Sequence, residues 1–284
     1  MFEFLAQPAG FDIGETGLLV FDATQPLWRA LLVGLGNTLR VSVPALLLAT
    51  ALGTLIALGR RSKVPALQTF GALYIDTVRN VPLLVQLMMW YFVLVDWLPD
   101  SSAAWHLANG VLLSKGGLSF PWPAHGADGW LWSVPAQDGF NVSGGAAVTP
   151  EYLAVFMALS IYTAAFVAEV VRAGLESVPK SLGEVAQTLG ARPHQVVLQV
   201  VLPQALRTMV PALTNQYLNL VKNSSLAVAV GYPDLVSVGN TALNQTGRAL
   251  ECIVVMMSVY LLLSLLTAGL MNWFNARHAL KGGT

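Results

Sequence analysis

The sequence predicts an all-α membrane protein with a five-helix core, its N-terminus outside and its C-terminus inside. Of the 284 residues, 55% are hydrophobic and 11% are charged, whereas about 25% of the residues in an average soluble domain are charged. Five stretches approach the roughly 20 apolar residues that cross a bilayer. Lys and Arg also collect in alternate loops, which marks the cytoplasmic side. We therefore expect residues 1–284 to form a single transmembrane domain.

Five spans and one surface helix are predicted. The spans are, in order, about Leu31–Leu58, Val81–Leu98, Tyr152–Val171, Leu206–Val230 and Glu251–Asn272. Ahead of the second span, apolar residues recur at helical spacing along Pro65–Asn80, which predicts an amphipathic helix at the cytoplasmic surface. Two local ion pairs are expected at i, i+3 spacing, Asp76 with Arg79 and Glu169 with Arg172.

The basic residues decide the orientation of the chain. Ten of them lie in the loops after the first and third spans and in the tail: Arg60, Arg61, Lys63, Arg79, Arg172, Lys180, Arg192, Arg207, Arg277 and Lys281. Three lie in the other loops: Arg29, Lys115 and Arg248. Because cytoplasmic loops are enriched in Lys and Arg, the first group marks the inside. Residues 173–205 are therefore predicted to form a cytoplasmic loop.

An external insertion, residues 99–150, separates the second and third spans and is long for a helical bundle. Within it, Gly110–Leu113 and Leu118–Phe120 flank a turn-like sequence, which predicts a β-hairpin. The insertion also carries several tryptophans, which are enriched at the level of lipid headgroups. Its role is left open between an external cap resting at that level and a contact surface for an external partner.

Several functions are excluded by what the sequence lacks. It contains no G-x-x-x-x-G-K-[ST] phosphate loop, so we do not expect this chain itself to bind ATP. The single Cys252 excludes an internal disulfide, and no paired metal-ligand spacing occurs. The net charge is zero, which gives no indication of a nucleic-acid partner. We expect neither an enzyme nor a resident cofactor or metal.

The fourth span is unusually polar and is the candidate solute path. The candidate residues are Asn215, Gln216, Asn219, Lys222, Asn223 and Ser224, which Ser225 extends, with Gln86 of the second span as a further candidate. A cation near a helix centre costs roughly 2.5–3.5 kcal/mol on insertion scales, so Lys222 should face protein or water. Hydrogen bonding between helices is the alternative, at about 0.6–2 kcal/mol per bond. We favour the path because four amides and a lysine within nine residues exceed what packing needs.

The cytoplasmic stretch Ser177–Pro203 is predicted to form two short helices. Ser181 and Glu184 form an S-x-x-E capping box, which predicts a helix start at Leu182. Gly190 is the predicted stop of this first helix. Pro193 then opens the second helix, and Pro203 is expected to break or kink the chain.

The same stretch resembles the EAA loop of bacterial ABC importer permeases. Glu184-Val185-Ala186 is followed by three residues, Gly190, nine residues and Val200-Val201-Leu202-Pro203. The family pattern is E-A-A, three residues, G, nine residues, I-x-L-P. Further segments resemble the polar amino acid branch of this family, and the N-terminal segment resembles its broad-range L-amino acid permeases, which often have an additional helix ahead of this point. These segments begin at Arg79, Arg172, Val178, Leu202, Leu213 and Lys222.

The resemblance implies a type I (MetI-like) permease fold in the bacterial inner membrane. It implies that Leu182–Gly190 is a coupling helix that docks on a cytoplasmic ATPase, which binds the ATP. The residues carried over to this contact are Ser181, Glu184, Ala186, Gly190, Leu202 and Pro203. The other implied partners are a related but non-identical second permease, a periplasmic binding protein and an amino acid solute. A secondary transporter or channel, and a membrane scaffold without transport activity, are the competing hypotheses.

Overall fold

Helices make up most of the fold. The computed structural model describes residues 2–17, 19–126, 129–139 and 141–278. Its α-helices are α1 (Leu27–Arg60), α2 (Pro65–Asn80), α3 (Leu83–Trp97), α4 (Pro150–Glu176), α5 (Lys180–Thr188), α6 (Pro193–Gln195), α7 (Leu202–Asn223), α8 (Leu235–Thr246) and α9 (Ala249–His278). A π-helical turn, Val196–Val201, joins α6 to α7, and a 3-10 helix, Ser224–Val230, follows α7.

Four helical segments of the described chain are long and apolar enough to cross a membrane. They are α1, α4, the helical run Pro193–Val230 that contains α7, and the part of α9 up to Trp273. The pair α2 and α3, which is interrupted at Val81 and Pro82, would be a fifth. All five predicted spans therefore fall on apolar helices, while a core of five stays a prediction. Helix α2 matches the predicted Pro65–Asn80 helix at both ends.

Two compact units make up the chain. The first comprises residues 1–41, 82–158 and 225–245, and the second comprises residues 42–81, 159–224 and 246–284. That these units form a single domain stays a prediction.

In the first unit, polar contacts attach the N-terminal segment to α1 and to Thr149, the residue before α4. Glu15 forms an ion pair with Arg40, and its carboxylate accepts a hydrogen bond of 2.8 Å from the Thr149 hydroxyl. The Asn37 amide donates to the backbone carbonyls of Glu15 and Pro233, at 2.7 and 2.9 Å. Burial raises the pKa of Glu15, and the Thr149 hydrogen bond and the Arg40 charge oppose this rise. The segment before α1 is therefore an integral part of this unit.

The all-α prediction is wrong for the external insertion, which forms short β-strands. They are β1 (Trp105–Ala108), β2 (Val111–Ser114), β3 (Gly117–Phe120), β4 (Trp122–Gly126), β5 (Gly129–Ser133), β6 (Ala136–Asp138), β7 (Asn141–Ser143) and β8 (Ala146–Val148). An antiparallel sheet has the order β1-β2-β3-β8, and β4–β5 and β6–β7 pair separately. The predicted hairpin is confirmed as β2 and β3, in which Ser114 pairs with Gly117. Strands this short give a weak sequence signal.

Gly117 explains how the sheet closes at this hairpin. Its φ is +106°, and a Cβ there would lie 2.0 Å from the Val148 carbonyl oxygen. Only glycine allows β8 to approach this closely. The exposed tryptophans of the insertion, Trp105, Trp122, Trp130 and Trp132, leave both hypotheses about its role open.

In the second unit, small residues let α1 and α4 approach closely. A Cβ on Gly53 would lie 2.7 Å from the Ala164 carbonyl oxygen and 2.7 Å from the Val167 side chain. Ala49 and Ala57, at four-residue spacing on either side of Gly53, are fully buried. Small residues at this spacing are what allows membrane helices to pack with their backbones in contact. The hydrophobic core of this unit also includes Ile75 of α2, Val171 of α4 and Met209 of α7.

Candidate functional site

Three of the amides predicted for the fourth span line one pocket in the second unit. The pocket has a volume of about 200 Å³, and its lining residues are Gln216, Asn219, Leu220 and Asn223 from α7 and Tyr162, Thr163 and Phe166 from α4. We call it the amide pocket. Its polar side chains come mainly from α7, and its aromatic wall comes from α4, where the Tyr162 and Phe166 rings lie 4.9 Å apart.

The other predicted path residues lie outside the lining of this pocket. Asn215 and Lys222 are exposed on α7. Ser224 is fully buried, and its hydroxyl donates to the Val221 carbonyl at 2.8 Å. Gln86 is buried in α3, which belongs to the first unit. Their assignment to a solute path stays a prediction.

A partly buried hydroxyl contact joins α7 to α1 beside the pocket. The hydroxyls of Tyr217 and Thr50 lie 3.0 Å apart, and Thr50 also donates to the Leu46 carbonyl at 2.7 Å. Because Tyr217 points toward α1, its neighbour Gln216 and the residues one and two turns further along α7 can face α4. Sequence reasoning found the α7 residues because amides are conspicuous in an apolar span. It missed Tyr162, Thr163 and Phe166, which hydropathy does not distinguish from ordinary span residues.

An ion-pair network lies on the same side of α4 as the pocket wall. The predicted pair of Glu169 with Arg172 is confirmed, at 2.8 Å. Glu169 also pairs with Arg60, and Arg172 pairs with Glu176 at 2.6 Å. The described residues show no ion pair of Asp76 with Arg79, and the Arg79 guanidinium lies over the Phe166 ring, 5.0 Å from its centroid.

The predicted coupling helix is present as α5, but its start differs from the prediction. Helix α5 begins at Lys180, with Pro179 at the N-cap position and without a side-chain cap. Ser181 therefore lies inside the first turn, and the predicted capping box with Glu184 is wrong. Proline presets a φ near the helical value, which makes it compatible with a helix start. In Pro179 this φ is −59°.

The end of α5 confirms the role of Gly190 as a helix stop. Gly190 has a φ of +89°. Its N–H donates to the Gln187 carbonyl at 2.9 Å, and the Ala191 N–H donates to the Ala186 carbonyl at 3.0 Å. These two bonds form a Schellman motif, which requires a left-handed residue such as glycine at this position.

The segment after Gly190 is helical and continuous with α7. Pro193 opens α6 as predicted, and the Arg192 N–H donates to the Gln195 side chain at 2.8 Å. Pro203 does not break the chain, because α7 begins at Leu202 and runs on to Asn223. The π-helical turn Val196–Val201 directly precedes α7. Such a turn can tolerate the loss of the backbone hydrogen bond that a proline cannot donate.

Helix α5 exposes one apolar face. Leu182, Val185 and the C-cap residue Leu189 recur at i, i+3 and i+7, so they lie toward one side of the helix. Their side chains are exposed, Leu189 to 84%. We call these three residues the coupling face. Of the carried-over coupling residues, Ser181, Glu184 and Gly190 are exposed, and Ala186, Leu202 and Pro203 are half-buried.

The long apolar helices define the class as a multi-pass membrane protein. Residues 49–279 match the family described as the binding-protein-dependent transport system inner membrane component, and the chain belongs to this family. It is 39% identical to the general L-amino acid transport system permease protein AapQ of Rhizobium johnstonii, over 98% of this chain and 84% of that protein.

Two solved structures share the fold. A chain from an amino acid ABC transporter with histidines superimposes with a TM-score of 0.64 at 24% identity, covering 88% of this chain and 94% of that one. A chain from inward-facing MetNI, a methionine ABC transporter, gives a TM-score of 0.62 at 17% identity, covering 89% and 98%. The predicted family and its MetI-like fold are confirmed. The protein is therefore an inner-membrane transport permease rather than an enzyme, and its family works with an ATPase and a binding protein.

Proposed function

We propose that this chain forms half of the path for amino acids through an ATP-driven importer. The observation that carries the proposal is the amide pocket between α4 and α7. An amide group both donates and accepts hydrogen bonds, so it can bind a carboxylate through N–H and an ammonium through C=O. The proposed cargo is therefore a zwitterionic amino acid, and the name of AapQ, the general L-amino acid relative, agrees with it.

The coupling face supports an energy source on another chain. Helix α5 ends in a Schellman motif and leaves Leu182, Val185 and Leu189 uncovered. An amphipathic helix with apolar residues at this spacing is suited to lie in a groove of a partner protein. We propose that the groove belongs to a cytoplasmic ATPase subunit, which binds the ATP, and that this permease needs no cofactor of its own.

The remaining parts of the assembly follow from the same proposal. A second, related permease completes the path, and a periplasmic binding protein delivers the solute. The N-terminus lies outside and the C-terminus inside, which agrees with the basic residues near α2, α5 and α6. Lys281, which also supports this orientation, lies outside the described residues.

Reconstitution tests the proposal directly. The chain is assembled in proteoliposomes with its partner permease, its ATPase and its binding protein, and ATP hydrolysis is measured for a panel of amino acids. We expect hydrolysis to rise with the transported amino acids and their uptake to require ATP. Uptake that is driven by an ion gradient without ATP would favour a secondary transporter, and hydrolysis that no amino acid changes would favour a scaffold.

Asn219→Ala is expected to weaken amino acid binding in the pocket. Loss of one hydrogen bond to a charged group costs about 1.5–3 kcal/mol, which corresponds to a rise of roughly tenfold or more in the half-saturating solute concentration. This half-saturating concentration is obtained by measuring uptake as a function of amino acid concentration. Asn240→Ala is the matched control, because Asn240 is an exposed amide on α8. Equal effects of the two substitutions would show that Asn219 does not contact the solute.

Lys222→Ala is expected to reduce uptake selectively. Lys222 is an exposed residue of α7, and loss of its charge should affect solutes that carry a carboxylate and leave cationic esters of the same amino acids less affected. We expect an effect of about twofold to fivefold, the size of an exposed charge interaction. Unaltered uptake across the whole panel would contradict a role for this lysine.

A further inference from the structure

Arg79 contacts the wall of the amide pocket from outside the pocket. Its guanidinium lies 5.0 Å from the centroid of the Phe166 ring. Phe166 lines the pocket, whereas Arg79 does not. A guanidinium at this distance is attracted by the negative face of an aromatic ring. Arg79 therefore contacts the same ring that borders the space proposed for the solute.

Helix α2 contacts α4 at a second point beside the same wall. The Tyr74 hydroxyl donates to the Ile161 carbonyl at 2.7 Å. Ile161 directly precedes Tyr162, the other aromatic residue of the wall. The two contacts are five residues apart on both helices, from Tyr74 to Arg79 and from Ile161 to Phe166. Helix α2 thus contacts α4 next to both aromatic residues of the wall, through Tyr74 and through Arg79.

A third contact extends this arrangement to the ion-pair network. A Cβ on Gly71 would lie 2.6 Å from Cγ of Arg60, so the Arg60 side chain passes directly over α2 at this glycine. Arg60 in turn pairs with Glu169, one helical turn beyond Phe166. The Arg60 side chain therefore joins α2 to α4 at Glu169, just beyond the pocket wall.

We propose that α2 positions the aromatic wall of the amide pocket, and that Arg79 is the positioning residue for Phe166. The inference rests on the proposed function, in which the pocket contacts the solute. Arg79 sets the orientation of the Phe166 ring and hence the width of the pocket between Phe166 and the amides of α7. Arg79 thus affects solute affinity without touching the solute.

The test measures uptake against amino acid concentration in the reconstituted importer. Arg79→Met keeps the length of the side chain and removes the charge. It is expected to raise the half-saturating concentration about threefold to fivefold, the range for an exposed cation–π contact, with the maximal rate unchanged. Arg79→Lys retains a cation and should keep most of the affinity. Arg61→Met, at an exposed arginine outside α2, is the matched control and should behave as the unmodified protein.

Phe166→Leu separates this inference from the proposed function. It should raise the half-saturating concentration by itself, and Arg79→Met should add nothing in that background, because its partner ring is gone. If Phe166→Leu impairs uptake and Arg79→Met does not, only the positioning role is wrong. If Phe166→Leu leaves uptake unchanged, the pocket is not in the path and both proposals fail. The positioning role is also wrong if the effects of Phe166→Leu and Arg79→Met simply add in the double variant. It is likewise wrong if Arg79→Met lowers only the maximal rate. Arg79→Gln replaces Arg79→Met if the latter is not recovered as a folded complex.

Discussion

Gly53→Leu is expected to prevent α1 from packing against α4. Even a Cβ at this position would lie 2.7 Å from the Ala164 carbonyl oxygen, an atom of the helix backbone that cannot rotate away. Overpacking a core costs about 1–3 kcal/mol, and contact with backbone puts this variant at the upper end or beyond. We expect a large loss of folded protein and, for what remains, a markedly lower midpoint of thermal unfolding in detergent.

Gly269→Leu is the matched control for this prediction. Gly269 also lies inside a long apolar helix, α9, but a Cβ there would meet nothing within 4 Å. Both substitutions add the same side chain and remove a helical glycine, so helix propensity changes equally in the two variants. The two variants therefore differ only in how closely a neighbouring helix approaches the substituted position. Equal yields and equal unfolding midpoints would show that α1 and α4 do not pack as described.

Gly190→Val is expected to uncouple ATP hydrolysis from transport. The φ of Gly190 is +89°, which a β-branched residue adopts only at considerable cost. A Cβ at this position would meet nothing within 4 Å, so the effect comes from the backbone and not from a clash. The left-handed conformation costs an L-residue about 1–2 kcal/mol, and the Schellman bonds to Gln187 and Ala186 are lost with it. We expect solute uptake to fall at least tenfold.

Gly190→Asn is the informative companion variant, because asparagine adopts the left-handed conformation more readily than other residues. It should retain most of the uptake. Gly183→Ala, within the same helix and at ordinary contact distance from Val196, should be neutral. Uptake and stimulated ATP hydrolysis are measured together in proteoliposomes. Normal uptake by the valine variant would show that the end of α5 does not transmit the conformational change.

The sequence predicted the features that depend on neighbours along the chain. The apolar spans follow from composition over about 20 residues, and the Pro65–Asn80 helix follows from helical periodicity bounded by a proline and by the Val81-Pro82 break. Gly190 was identifiable because glycine is the usual residue at a left-handed helix end. The resemblance to the EAA loop depends on residue types at fixed spacing along the chain, and the family match confirmed the class of protein it indicated.

Local signals failed where two of them competed. Ser181 and Glu184 match a capping box, yet Pro179 begins the helix earlier and leaves both side chains on its surface. Pro203 is a helix breaker by itself, but it lies at the start of α7 directly after a π-helical turn. The strands of the external insertion are three to five residues long, which is too short for an alternating pattern to stand out.

The sequence by itself determined which residues of α7 are polar and where the loop helix ends, because amide chemistry and the glycine backbone are properties of single residues. Only the tertiary structure decided what these residues face. Tyr162, Thr163 and Phe166 line the same pocket as the amides of α7. Gly53 allows α4 to pack closely against α1, and the contact of the Tyr217 hydroxyl with Thr50 orients α7. Likewise, Arg79 lies over Phe166 rather than pairing with Asp76. Such contacts join residues far apart in the chain, and periodicity along one helix identifies its faces but not the partner of each face.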